Sequence, residues 1–243
     1  MNNYKLKYFK YNNYSLLISW PEMIDEKINL DVNQFKVAIE SSASNILEIR
    51  SSYCSLLVIF DKEILDIDKI EDDLNNLYVS RGSLSKTDSF LWNIPVCYEK
   101  NFALDIDLIS KQNKIPNKEI IKTHTNRVYS VYLIGFLPGF LYLGSVDDKL
   151  KISRKKQPRL RVPRGAVAIA DQQTGVYPQV SPGGWNIIGN TPINLFDKFK
   201  VEPCFAKPGD KVKFFSISEA QHKLIEKEVE FGLYELKKEL IND

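Results

Sequence analysis

Apolar residues in the first hundred positions recur with two different periods. Residues 4 to 20 read as two short strands around Asn12-Asn13, because Asn tolerates the positive φ of a tight hairpin. Trp20-Pro21 ends the second strand. Ile28, Val32, Phe35 and Ile39 are then spaced four, three and four apart, which puts them on one face of a helix. Ile46 to Arg50 and Leu56 to Phe60 return to strand character. A second helical stripe, Ile67, Ile70, Leu74 and Leu77, precedes a strand through Leu91 to Tyr98. The order ββαββαβ predicts a small ferredoxin-like α+β domain over 1–98, with helices on one face of an antiparallel sheet.

A second domain is expected over 99–243. It opens with helical patterning between 104 and 124, where Pro116 sits near the start of a second short helix that runs toward His124. From Val128 to Ser218 the texture changes to short β-branched and aromatic runs broken by Gly and Pro. Most of the 11 glycines and 11 prolines fall there, a pattern that predicts a closed or nearly closed β-barrel. Ser218 and Gln221 have capping-box spacing and begin a charged helix expected to continue to about Ile241.

Composition narrows the function classes. Lys and Arg number 33 against 31 Asp and Glu, so a net charge of +2 gives no general attraction to nucleic acid or membrane. No apolar run approaches the ~18 residues of a membrane span, and Met1 to Lys10 lacks the apolar core of a signal peptide. Cys54, Cys97 and Cys204 lie far apart with no metal-ligand spacing. A reduced, cytoplasmic chain with no metal of its own is expected.

Three segments could carry chemistry. In Gly135 to Gly144, Gly139 lets the main chain approach a ligand, Pro138 stiffens it, and Phe140 and its aromatic neighbours offer an apolar wall. The same residues also suit a buried hairpin turn. Lys149 to Arg164 holds eight basic residues and no acidic one, and Arg159, confined between Pro158 and Val162-Pro163, is the candidate anion clamp. The remaining bases suit a solvated hairpin. Gln173, Thr174 and Tyr177, then Ser181, Gly183, Gly184 and Trp185, form the densest set of polar groups on rigid loops. Gly183 and Gly184 could turn free N–H groups toward an anion. Ser181 as a nucleophile would need a base, and the only histidines are His124 and His222. His222 reads as a surface residue of the terminal helix, whereas His124 could reach a pocket or serve in the core. There is no P-loop, strand-linked GxGxxG, GxSxG elbow or HExxH helix.

Taken in order, these motifs resemble the family of KipI and the B-type subunits of 5-oxoprolinase, also called the allophanate hydrolase subunit 1 type. The resemblance rests on His124, Tyr132, Gly135-Phe136-Leu137-Pro138-Gly139-Phe140, Tyr142-Leu143-Gly144, Pro158-Arg159, Val162-Pro163, Gln173-Thr174-Gly175, Tyr177-Pro178, Ser181-Pro182-Gly183-Gly184-Trp185, Ile188-Gly189 and Thr191-Pro192. It implies a small α+β domain followed by a cyclophilin-like barrel. It also implies a KipA or C-type partner, a separate A-type subunit, and ATP (with Mg) held by the complex for opening 5-oxoproline to glutamate. On that basis His124 is an acid/base or positioning group, Arg159 an anion clamp, and Gln173, Thr174, Tyr177, Ser181, Gly183, Gly184 and Trp185 line the pocket. Four places depart from the pattern: Asn12-Asn13, Glu99-Lys100-Asn101, Asp171 where the family often has Gly, and Asn190 where an Arg is expected.

The same resemblance admits two other functions. One is a KipI-like inhibitor that blocks autophosphorylation of a sensor histidine kinase; the other is a module linked to urea carboxylase or allophanate hydrolysis. Fold alone does not choose among them.

Overall fold

The computed structural model describes residues 4–42, 45–81 and 88–241. The chain divides into two compact units, Met1–Thr87 and Asp88–Asp243.

The first unit runs β1 (Lys7–Asn12), β2 (Ser15–Ser19), α1 (Glu26–Ser42), β3 (Ile46–Ser51), β4 (Ser55–Phe60) and α2 (Ile67–Ser80). Its strands pair antiparallel in the order β1-β2-β4-β3. The helical stripe read from the sequence is the buried one: Ile28, Val32, Phe35 and Ile39 are each at most 1% exposed. They pack with Leu16, Ile18, Leu56 and Val58 from the sheet. Asp31, on α1, is buried beside them and is satisfied from three sides. It accepts from Trp20 Nε1 at 2.7 Å, Tyr78 Oη at 2.6 Å and Arg81 Nη2 at 2.5 Å.

The strand expected to finish this domain belongs instead to the second unit. β5 (Ser89–Cys97) runs parallel to β13 (Lys211–Ile217), pairing Leu91 with Lys211 and Cys97 with Ile217. Between them along the chain lie α3 (Ile106–Asn113), α4 (Asn117–Thr125), β6 (Val128–Ile134), β7 (Leu141–Gly144), β8 (Arg159–Val162), β9 (Ala166–Ala170), β10 (Gln173–Val176), β11 (Ser181–Gly183) and β12 (Asn186–Asn190). The ring β12-β9-β10-β7-β6-β13-β5 closes through a β5–β12 pairing of Cys97 with Asn190, which makes a closed seven-stranded barrel.

Period-two alternation explains why β9 is buried on both faces. Val167 and Ile169 enter the barrel core with Ile94, Val131 and Leu143. Ala166, Ala168 and Ala170 face a separate cluster of Phe140, Tyr177 and Trp185, and their small side chains leave room for those rings. β8 and β11 form a two-stranded ribbon outside the ring, with Ser181 opposite Val162 and Gly183 opposite Arg159.

The terminal helix is shorter than the sequence suggests. α5 (Glu219–Glu230) begins with the expected capping box of Ser218 and Gln221. It stops where Gly232 takes a φ of +70°, the left-handed conformation that ends helices. The chain then returns as β14 (Lys238–Ile241), antiparallel to β5. Among the described residues no helix is long and apolar enough to cross a membrane.

Candidate functional site

His124 ends α4 inside the barrel and is fully buried. Its Nδ1 lies 2.8 Å from Tyr98 Oη and its Nε2 lies 2.9 Å from Thr174 Oγ1. Thr174 donates its own hydroxyl proton to the Ala168 carbonyl at 3.1 Å, so Oγ1 accepts from Nε2–H. Nδ1 is then left to accept from Tyr98. Every donor has one acceptor, and the network is complete with a neutral ring. Burial pushes the His124 pKa down to about 3 and the Tyr98 phenol well above its usual value. The ring stacks on Phe214 at 4.7 Å, with Tyr129 at 5.3 Å. His124 and Thr174, both named as site residues on the sequence, are thus core residues whose polar atoms are consumed internally.

Arg159 is likewise occupied. Its Nη1 and Nη2 donate to the two oxygens of Asp105 at 2.7 and 2.8 Å, a bidentate pairing. Lys155 Nζ reaches the same carboxylate at 2.8 Å, and the Ile187 backbone N–H donates to it at 2.8 Å. Burial alone would raise the Asp105 pKa, but these donors outweigh burial and hold it below the usual carboxylate value. The anion that Arg159 clamps is therefore part of the chain itself. Asp105 drew no notice in the sequence because an acid just before a helical stripe reads as a cap. Here it makes no capping hydrogen bond and instead ties the start of α3 to β8 and β12.

The glycine-rich segments do meet. Phe140 lies edge-on to Tyr177 at 5.0 Å and to Trp185 at 5.6 Å, and Tyr142 approaches Trp185 at 5.8 Å. Gly183 packs on the Tyr177 ring so closely that a Cβ would sit 2.4 Å from its hydroxyl oxygen, so this loop needs glycine for contact. Gly184 has no such neighbour, and its carbonyl accepts from the Lys155 N–H at 2.7 Å. Arg154 lies over Trp185 at 5.6 Å. Pro138 and Gly139 form the β6–β7 turn, with Phe136 exposed and Gly139 against Leu195 and Phe196. Gln173 is buried, and its Nε2 has no partner among the described residues. Ser181 donates to the Pro182 carbonyl at 3.2 Å. No Ser–His pair forms, because His124 is committed inside the barrel and His222 bonds elsewhere.

His222 is the residue the sequence placed wrongly. It is 4% exposed, and its Nε2 lies 2.9 Å from Asn190 Oδ1. Asn190 Nδ2 donates to the Arg164 carbonyl at 2.7 Å, which turns Oδ1 toward His222 and fixes the ring as the Nε2–H tautomer. Nδ1 is buried without a partner among the described residues. Burial lowers the His222 pKa; Glu226 and Glu219 oppose that shift, while Arg164 and Lys223 reinforce it. Phe102 packs on the ring at 4.5 Å. These side chains border a groove of about 310 Å³ whose apolar surface comes from Phe102, Leu104, Pro163, Ala166 and Ile187. The turn that brings Pro163 and Arg164 to the groove passes through Gly165, whose φ is +76° and where a Cβ would lie 2.1 Å from the Thr191 carbonyl. His222 could not have been found from sequence, since its partners Phe102 and Asn190 are distant along the chain.

Residues 6–206 match the carboxyltransferase domain family, subdomains C and D. The chain is 33% identical over 219 residues to the B-type subunit of 5-oxoprolinase from Bacillus subtilis, an alignment covering 86% of this chain and 91% of that protein. The chain belongs to the family of KipI and the B-type subunits of 5-oxoprolinase. It is also 37% identical over 171 residues to the Escherichia coli O157:H7 member, again a B-type subunit of 5-oxoprolinase, covering 70% of this chain and 78% of that one. The Kluyveromyces lactis urea carboxylase structure superposes with a TM-score of 0.81 at 18% identity, over 98% of this chain and 24% of that one. That likeness speaks for the shared fold of this family member and not for its substrate.

Proposed function

We propose that this chain is the B-type subunit of an ATP-dependent 5-oxoprolinase, which opens 5-oxoproline to glutamate together with C-type and A-type partners. The observation that carries the reading is the alignment with the Bacillus subtilis B-type protein over 91% of its length. We read the barrel as cyclophilin-like. The first unit is read as a permuted ferredoxin-like sandwich, because moving β4 and α2 ahead of β1 gives the βαββαβ order.

A five-membered lactam is a poor electrophile, and ATP in the complex would supply the phosphoryl group that makes its carbon attackable. The described residues do not fit Mg-ATP. Among the described residues no group of His, Cys, Asp or Glu side chains is arranged to hold a metal ion. Arg159 and Lys155 are already paired with Asp105. Nucleotide handling therefore falls to the partners. Phe140, Tyr177 and Trp185, with Gly183 packed on Tyr177, act as a rigid aromatic wall. His124 supports the barrel as a positioning residue, and the Ser181 hydroxyl donates to the Pro182 carbonyl with no histidine beside it.

The reading is tested by co-expressing the chain with the C-type and A-type subunits and measuring 5-oxoproline-dependent ATP hydrolysis and glutamate release. Both activities should require this chain. A well-formed complex without glutamate release would sink the reading in favour of a urea-linked module, which the fold shared with the Kluyveromyces lactis urea carboxylase also accommodates, or of a kinase-binding role.

A further inference from the structure

The anion clamp sought at Arg159 has a replacement five residues along the chain. Lys149, Lys151, Arg154, Lys155 and Arg159 from the basic run are all paired with carboxylates. Arg164 has no carboxylate partner among the described residues; its side-chain bond is a 3.3 Å contact from Nη2 to the Ile193 carbonyl. It borders the groove beside His222. Lys223 borders the same groove and is tied to Glu219 at 2.7 Å, an exposed pairing that a better anion can replace.

His222 forms part of the groove wall. Asn190 fixes its ring with the proton on Nε2, and Nδ1 is sealed beneath the surface without a partner among the described residues. Apolar surface from Phe102, Leu104, Pro163, Ala166 and Ile187 suits a small hydrocarbon ring beside the two cations.

We infer that this groove binds a small cyclic carboxylate, with Arg164 and Lys223 on the carboxylate and the apolar wall beside the His222 ring against its hydrocarbon part. This rests on the 5-oxoprolinase reading and assigns the binding of the substrate's carboxylate end to this chain. Arg164, Lys223 and His222 are specificity residues. The bond-breaking step is left to groups elsewhere in the complex.

The test uses the full complex with Arg164→Gln and His222→Phe, and with Arg161→Gln as a control cation outside the groove. Arg164→Gln should raise KM for 5-oxoproline about 10- to 100-fold, as loss of a charge-assisted contact does, with kcat nearly unchanged. His222→Phe should raise KM by a smaller factor, and Arg161→Gln should change nothing. A thermal melt verifies that each variant is folded. Binding is read independently from the shift of the His222 Cε1–H resonance on adding 5-oxoproline, with 2-pyrrolidinone, which lacks the carboxylate, as the weak comparator. Turnover by the wild-type complex with unchanged KM in Arg164→Gln overturns the groove and leaves the 5-oxoprolinase reading standing. If the wild-type complex is inactive, that reading fails; the His222 resonance then decides the groove, and no shift with 5-oxoproline overturns it.

Discussion

The barrel interior around His124 and the groove around His222 use the same side chain to opposite ends. Both rings are buried, both lie within aromatic contact, and both have a lowered pKa. The difference lies in hydrogen-bond accounting. His124 has a partner for each nitrogen, and those partners are satisfied in turn, so the network has nothing left for a ligand. His222 has one nitrogen fixed and the other buried without a partner, beside a cation with no carboxylate partner, among the described residues. Burial and a perturbed pKa are common to both rings and therefore do not by themselves mark a functional histidine.

The sharpest way to break the comparison is His124→Ala. Losing the ring leaves a cavity and strands the Tyr98 hydroxyl, while Thr174 keeps its bond to the Ala168 carbonyl, so stability should fall by about 3–5 kcal/mol, measured by urea unfolding. Any loss of turnover in that variant should track unfolding rather than chemistry. A stable, inactive His124→Ala would restore His124 to the site.

The paired arginine should behave as scaffold too. Arg159→Ala leaves Asp105 buried with only Lys155 as a charged partner, and a loss of roughly 2–4 kcal/mol is expected. Combining it with Asp105→Asn should cost less than the sum of the two single changes, because the stranded charge is removed. Additive losses would show that the pair is not coupled.

Acid should expose the internal histidine. Its folded pKa of about 3 lies below the unfolded value of about 6.5, so the unfolded chain takes up a proton that the native chain refuses. Stability is fully present above pH 6.5 and drains as pH falls toward 3, by up to about 1.4 kcal/mol per pH unit from this group. Denaturation at a series of pH values should show the slope, and a folded His124→Phe variant should flatten it. Asp105, also depressed, adds its loss only at the acid end of that window and below.

The smallest effect separates two adjacent glycines. Gly183→Ala meets Tyr177 and should cost about 1–3 kcal/mol, whereas Gly184→Ala, whose nearest contact would be 3.6 Å away, should stay within roughly 0.5 kcal/mol. Equal melting temperatures for the two would show that the Gly183 contact relaxes freely.

Much of the architecture was legible because periodicity is local. The stripe on α1, the hairpin at Asn12-Asn13 and the capping box at Ser218 each announce themselves within a few residues. Asp171 was noted where the family often has Gly, and its φ of +51° is the conformation that favours Gly. The assignment of β5 to the barrel was not legible, since a buried strand shows its composition but not its partner. Of the segments singled out for chemistry, the basic run and the Gly183 loop do pair, through β8 and β11. Which residues were free within them was not legible. That depends on Asp105 reaching Arg159 across 54 positions and on Asn190 reaching His222 across 32.

Asn190 has one further consequence. It is the residue through which the ring of strands closes, opposite Cys97, and it is also the residue that grips His222. The barrel thus has a seam fastened by a single cross-strand register, and the seam lies at the lip of the groove. A guest held there would act as a second fastener, and slower amide exchange along β12 and the facing end of β5 would report its arrival.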